Sequence, residues 1–519
     1  MSLFRSIATV GSWTMGSRLL GFVRDILMAS ALGTGMVADA FFVAFKFPNF
    51  FRRLFAEGAF NAAFVPLFGE RLEKDGITAA RTFAAEAAAV MVAALLTFTL
   101  LAIITMPILM YLIAPGFAGH SEKFELTIEL TRITFPYLTF MALIALMGGM
   151  LNTMQKFAAT AAAPILLNIV LISALVLLNL DVFDHPGFTL AWAVCAAGIG
   201  QFIWIVAACA KGKLLFRLSW PRLTPGVKRL LTLMAPGLIG AGVVQINLVV
   251  DVILASTLQE GSVSFLYFAD RVNQLPLGVI GVAVGVALLP LMTRQLAEGD
   301  EAGAAESQNR AIEFALLLTV PATLALVTIG DPIVRVLFER GAFDAAATKN
   351  TAAALSAFSV GLPAYVLIKA LTPGFFARQD TVTPVKIAIV AMVVNVVLAL
   401  ILMQVLSHVG IALATACSAW MNAIILWVIL HRRGQFHADA RLWNRGIRTI
   451  AVSLVMAGAL FYAASMLSTY LTGAGLERVA ALILLVVFGL ALFAVLAHYC
   501  GAMKVSELRT MLRRSPVRD

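Results

Sequence analysis

Ten charged side chains stand inside apolar runs of this 519-residue chain. They are Arg18, Arg24 and Asp25; then Asp39, Lys46, Arg52, Arg53 and Glu57; and, much later, Asp270 and Arg271. A charge at the centre of a bilayer costs ~2.5–3.5 kcal/mol, so ten facing lipid would cost roughly 25–35 kcal/mol. They must therefore line a hydrated cavity or pair with one another. Six are cations and four are anions, so pairing alone leaves two positive charges over. A visiting anion of charge near −2 completes the set, and the arginine fork fits a phosphate bidentately. A vestibule in which some arginines meet water or lipid headgroups would satisfy the same pattern.

Helical spacing narrows the geometry. Asp39, Lys46 and Arg53 are seven apart and fall on one stripe, each about 20° from the last. Asn49, Glu57 and Asn61 join that stripe, Arg52 flanks it, and Pro48 stands where it would kink the helix. Arg53 and Glu57 have the spacing and signs of a structural pair. The neighbours Arg24–Asp25 and Asp270–Arg271 suggest pairs arranged around a shared centre. Asp251, Lys369 and Asn395 are candidate ion-coupling groups, or equally interhelical hydrogen-bond partners. No Gly-x-Ser-x-Gly, His-Glu-x-x-His or Walker pattern occurs, which argues against an enzyme.

The elements that position these residues follow from composition. At 61% hydrophobic and 13% charged the chain departs from soluble domains, which run about 45–50% apolar and about 25% charged. It reads as an all-α polytopic membrane protein. A spanning helix needs roughly 20 apolar residues, and fourteen such runs are legible: 7–30, 36–66, 80–113, 125–151, 158–180, 187–210, 229–257, 262–293, 310–338, 350–376, 383–406, 409–431, 446–470 and 477–500. Arg18 and Arg24 inside the first run argue against a cleaved signal peptide. Of the 38 Lys and Arg residues, about 25 fall in alternate loops and about four, Lys123, Arg340, Lys349 and Arg478, in the opposite ones. That bias places both termini in the cytoplasm. It also accounts for the net charge of +10 without nucleic acid. The four cysteines, with no Cys-x-x-Cys spacing, suggest neither a disulfide framework nor a metal site.

The first six runs repeat in the next six. Pro66 matches Pro290, Asn49 matches Asn273, Pro107 matches Pro332, Pro136 matches Pro363 and Asn168 matches Asn395, at offsets drifting from 224 to 227. Parallel repeats imply two pseudo-symmetric six-helix lobes around a central cavity. The expected organisation is an N-terminal lobe at 1–215, a C-terminal lobe at 216–433, an extra helix pair at 434–501 and a basic cytoplasmic tail at 502–519.

The stretch from Gly16 to Asp25, followed by Ala38-Asp39-Ala40-Phe41 and by Phe47-Pro48-Asn49-Phe50-Phe51-Arg52-Arg53-Leu54-Phe55-Ala56-Glu57-Gly58-Ala59, resembles the MurJ (MviN) family of the multidrug/oligosaccharidyl-lipid/polysaccharide exporter superfamily. The resemblance covers essentially the whole chain. It implies a lipid II flippase of the bacterial inner membrane, moving undecaprenyl-diphosphate-linked disaccharide-pentapeptide to the periplasmic leaflet for peptidoglycan synthesis. Its cavity arginines match Arg18, Arg24, Arg52 and Arg271; Ser17 and Lys46 join the headgroup set, and Asp25, Asp39 and Asp270 are its sensitive acidic positions. The last two helices would hold the isoprenoid tail. Implied partners are lipid II, membrane lipids and the cell-wall synthesis machinery, with no cofactor. Some relatives bind sodium through residues that match Asp251, Asn395 and Thr415, but the second carboxylate is absent, since Ala391 and Ala399 stand one turn from Asn395. Membrane potential or another ion is then the expected drive. A flippase for another polyprenyl-diphosphate oligosaccharide, or a drug/cation antiporter, is the alternative; the antiporter would have twelve spans and an arginine-poor cavity.

Overall fold

The computed structural model describes residues 3–53, 60–473 and 475–503. Among them every regular element is a helix. In chain order these are α1 (Leu3–Leu32), α2 (Met36–Phe51), α3 (Asn61–Ile104), α4 (Met106–Ile113), a short 3-10 turn (Pro115–Gly119), α5 (Ser121–Thr134), α6 (Tyr137–Thr153), α7 (Phe157–Asn179), α8 (Pro186–Lys211), α9 (Pro225–Ser256) and α10 (Ser262–Ala297). There follow α11 (Glu301–Thr328), α12 (Gly330–Phe338), α13 (Ala345–Val360), α14 (Leu362–Phe376), α15 (Val382–Leu406), α16 (His408–Arg432), α17 (Ala440–Met466), α18 (Ser468–Thr472) and α19 (Leu476–Tyr499). Ten helical stretches among the described residues are long and apolar enough to cross a membrane. The runs at 7–30, 229–257 and 262–293 are helical where described but fall outside those ten, and the run at 36–66 is divided, its first part forming α2 and its last residues opening α3, which is one of the ten.

Local chemistry sets the boundaries. Asp300, Asp344 and Asp439 accept backbone N–H donors three residues on and start α11, α13 and α17, as N-cap side chains do. Gly76, at φ +80°, breaks α3 into two rods, a backbone conformation that glycine adopts without a Cβ clash. Pro48 lacks an N–H, and the helix around it loosens into a wider turn at Arg52 and Arg53.

Packing divides the chain into two units, residues 1–264 with 340–343, and residues 265–339 with 344–519. This partition differs from that of the repeat, because α9 packs on α3 and α4 inside the first unit. In the first unit α1 lies along α7, α7 along α8, α2 along α5 and α3 along α6. Its core is a row of stacked phenylalanines, with Phe64 5.0 Å from Phe60 and 5.7 Å from both Phe68 and Phe83. In the second unit α11 packs on α14 and α17, α14 on α16, α15 on α16 and α17 on α19. The outer faces of α17 and α19 expose Ile447, Leu454, Phe461, Leu484 and Leu490, an apolar surface that suits lipid rather than water.

Candidate functional site

Arg24 lies inside the first unit, 5% exposed, and Asp25 beside it is 2% exposed. The guanidinium donates to Asp25 Oδ1 from Nε at 3.1 Å and from Nη2 at 2.7 Å. Its Nη1 donates to Asn168 Oδ1 at 3.0 Å, and Asn168 Nδ2 donates in turn to the Ser17 carbonyl at 2.9 Å. The Phe45 ring stands 5.9 Å away. A buried arginine with a carboxylate and an amide carbonyl around it is neutralised and hydrogen-bonded, as burial requires. The network ties α1 to α7 and fixes the turn of α1 that also carries Ser17 and Arg18.

Arg18 is exposed and Ser17 is half-buried. Both line a cavity of about 340 Å³ between α1 and α7. Phe157, Ala161 and Pro164 make its walls largely apolar, while Asn152 and Thr160 add polar atoms and bond each other at 2.9 Å. Of the described residues expected at a headgroup site, this cavity's walls include Ser17 and Arg18 and none of the others.

Along α2 and the wider turn that follows it the charges grade from inside to outside. Asp39 is 1% exposed, Lys46 is half-buried and Arg53 is exposed. Arg52 Nε donates to Asn49 Oδ1 at 3.0 Å, and Asn49 Nδ2 to the Phe45 carbonyl at 2.7 Å, so Asn49 sets the aim of Arg52. Asp39 is sealed by four donors: Lys123 Nζ at 2.7 Å, the Gly261 amide at 2.8 Å, the Ser264 amide at 2.9 Å and Ser264 Oγ at 2.6 Å. Glu57, and with it the Arg53–Glu57 pair, lies outside the described residues, as does the basic tail from 504 onward.

In the second unit Asp270 and Arg271 are half-buried on α10. Arg271 Nη2 donates to the Tyr267 hydroxyl at 3.1 Å, with the guanidinium 5.0 Å from that ring's centroid, so one aromatic side chain holds it by two contacts. Asp270 accepts from Gln274. Asn395 is 1% exposed on α15 and accepts from Ser418 Oγ at 3.5 Å, while Thr415 Oγ1, on the same helix as Ser418, donates to the Ile411 carbonyl. Asp251 belongs to the first unit and Asn395 and Thr415 to the second. No group of three His, Cys, Asp or Glu side chains with metal-holding geometry occurs among the described residues.

Two participants were not singled out by their types. Asn168 entered only as half of a repeat pair, although a lone amide inside an apolar helix is itself a signal of a buried partner. Lys123 reads as an outer-loop charge among Glu122 and Glu125, and nothing local marks it as buried.

An all-helical, multi-pass chain with this order of elements has the fold of the multidrug-exporter superfamily. An inward-facing multidrug resistance MATE transporter superposes with a TM-score of 0.64 over 82% of this chain and 97% of its own, at 15% identity, which speaks to fold alone. A structure described as lipid II flippase MurJ in an inward closed conformation superposes with a TM-score of 0.79, at 26% identity over 97% of this chain and 99% of that one. The family model for lipid II flippase MurJ matches residues 28–481, and the chain belongs to that family. Among similar relatives, a "Probable lipid II flippase MurJ" of Rhizobium tropici is 46% identical across 99% of this chain and 97% of its own length. One of Vibrio cholerae is 36% identical across 98% of each.

Proposed function

We propose that this chain is a lipid II flippase, carrying the undecaprenyl-diphosphate-linked disaccharide-pentapeptide from the cytoplasmic to the periplasmic leaflet of the bacterial inner membrane for peptidoglycan synthesis. The observation that carries this reading is the near-full-length identity of 46% to a relative so named. Fourteen spans in two six-helix lobes, a helix pair at 434–501 and both termini in the cytoplasm complete the proposed topology. The exposed apolar faces of α17 and α19 suit the isoprenoid tail.

Within this reading the charged residues divide by their surroundings. Arg18, on the wall of a cavity, and Arg52 and Arg271, each oriented by a neighbour, are the groups that meet the diphosphate, with Lys46 and Ser17. Arg24 and Asp25 brace the turn that presents Arg18. Headgroup binding favours one access state only if it binds that state more tightly, and arginines converging on one diphosphate would supply that difference. Alternating access of the lobes then delivers the headgroup, driven by membrane potential rather than by sodium.

The test is growth of a strain depleted of its lipid II flippase and carrying this chain, with lipid II translocation followed in reconstituted vesicles. Growth and translocation are expected; expression without either would refute the reading.

A further inference from the structure

The helix that carries Asp270 and Arg271 has no cap of its own. Gly261, at φ +90°, precedes α10 and offers no side chain to its first amides. The acceptor comes instead from Asp39, more than two hundred residues earlier, which takes the Gly261 and Ser264 amides and the Ser264 hydroxyl. A carboxylate at a helix N-terminus is favoured by the exposed amides and the helix dipole. Neutral donors do not balance a buried negative charge, however. Lys123, 5% exposed, provides that balance, its ammonium 2.7 Å from Asp39 and 4.2 Å from the centroid of the Phe117 ring. The neighbouring turn is anchored as well, since the Gly116 amide donates to Ser256 Oγ at 3.3 Å.

We infer that Lys123 is a positioning residue of the transport cycle: through Asp39 it holds the first turn of α10, and release of that hold opens the protein on the side where α10 begins. This rests on the proposed alternating-access reading, in which that side is the periplasm. The hold is releasable because the Gly261 amide, the Ser264 amide and the Ser264 hydroxyl all donate to one side chain on another helix. Separation of α2 from α10 breaks three hydrogen bonds together and leaves the Asp39–Lys123 pair intact and neutral. Lys123 thus keeps the carboxylate aimed in the bound arrangement, and compensates its charge in the released one.

The test uses the full chain, with Cys195, Cys209, Cys417 and Cys500 replaced and Ser262→Cys as a probe. Ser262 is fully buried and its hydroxyl has no hydrogen-bond partner, so the probe removes no bond. A membrane-impermeant maleimide is added to intact spheroplasts. Lys123→Met is expected to raise the labelling rate at position 262 at least about tenfold, and Ser264→Ala, which removes one donor and leaves the fold's charges untouched, to raise it in the same direction. Exchange of the pair, Asp39→Lys with Lys123→Asp, should stay fully labelled, because an ammonium cannot accept from the amides of α10. Unchanged labelling in Ser264→Ala and Lys123→Met at normal expression would overturn the inference, and so would protection restored by the exchanged pair. Labelling reports the hold whether or not the protein moves lipid II, so failure of complementation by the parent chain is a separate result.

Discussion

Arg24 and Asn168 are 144 residues apart and joined by a hydrogen bond of 3.0 Å, with Asn168 passing the connection on to the backbone of Ser17. The most deeply buried arginine of the predicted set is therefore committed inside the protein, while Arg18, one and a half turns away on the same helix, faces a cavity. Replacing Asn168 by Leu leaves Arg24 Nη1 without its acceptor in a buried place, a loss of about 1–3 kcal/mol. Thermal melting of the purified protein should fall, and growth of the depleted strain should weaken although no charge has changed. Wild-type melting would mean that Arg24 finds another acceptor.

Arg18 and Arg24 should separate stability from transport. Arg18→Ala removes an exposed side chain and should change stability by less than about 0.5 kcal/mol, yet abolish translocation. Arg24→Ala breaks the buried ion pair with Asp25 and should destabilise by about 3–5 kcal/mol. Paired measurements of melting and of lipid II translocation distinguish the two. Equal loss of stability in both variants would remove Arg18 from the headgroup.

Gly116 should tolerate no side chain. A Cβ placed there would stand 2.0 Å from the Ser256 carbonyl oxygen, a backbone atom that cannot swing away. Gly116→Ala should therefore destabilise by about 1–3 kcal/mol through overpacking. Gly119→Ala, with nothing within 4 Å of the added carbon, is the matched control and should melt like the parent.

Asp380 should confer a pH-dependent contribution in the connection between α14 and α15. Arg433, the Thr383 amide and the Thr383 hydroxyl all donate to it, and the Arg433 bond first of all lowers its pKa from 3.8 to about 2. A depressed carboxylate stabilises the folded state above its unfolded pKa and ceases to do so as pH falls through the folded value. Asp380→Asn should thus melt below the parent at neutral pH, and the difference should shrink between pH 3.8 and about 2. The site is exposed, so the effect is small and weakens with salt. A difference that is flat across that window would exclude the carboxylate.

Transport should persist when potassium replaces sodium at constant membrane potential. Ala391 and Ala399 stand one turn either side of Asn395, where a second carboxylate would be needed for a sodium site of the kind some relatives carry. Vesicles with a defined potential and either cation provide the measurement. Strict dependence on sodium would require another ligand to join Asp251, Asn395 and Thr415.

The sequence by itself determined the class of protein and the helices on which its unusual charges lie. Apolar runs of spanning length and a loop charge bias are local properties, summed over short windows, and so they survive without a fold. The same holds for the stretch from Gly16 to Ala59, whose residue order carries the family. What the tertiary structure alone decided is which charges are committed. Asp39, Lys46 and Arg53 share a stripe on an ideal helix, yet range from sealed to exposed, because Lys123 and the start of α10 close over one end of it. Arg24 and Arg18 differ in the same way, since Asn168 on α7 reaches one and not the other. Periodicity states the direction a side chain takes from its own helix axis. Whether water, lipid or another helix waits in that direction depends on partners far away in sequence, such as Lys123 for Asp39, and only the packed chain brings them there.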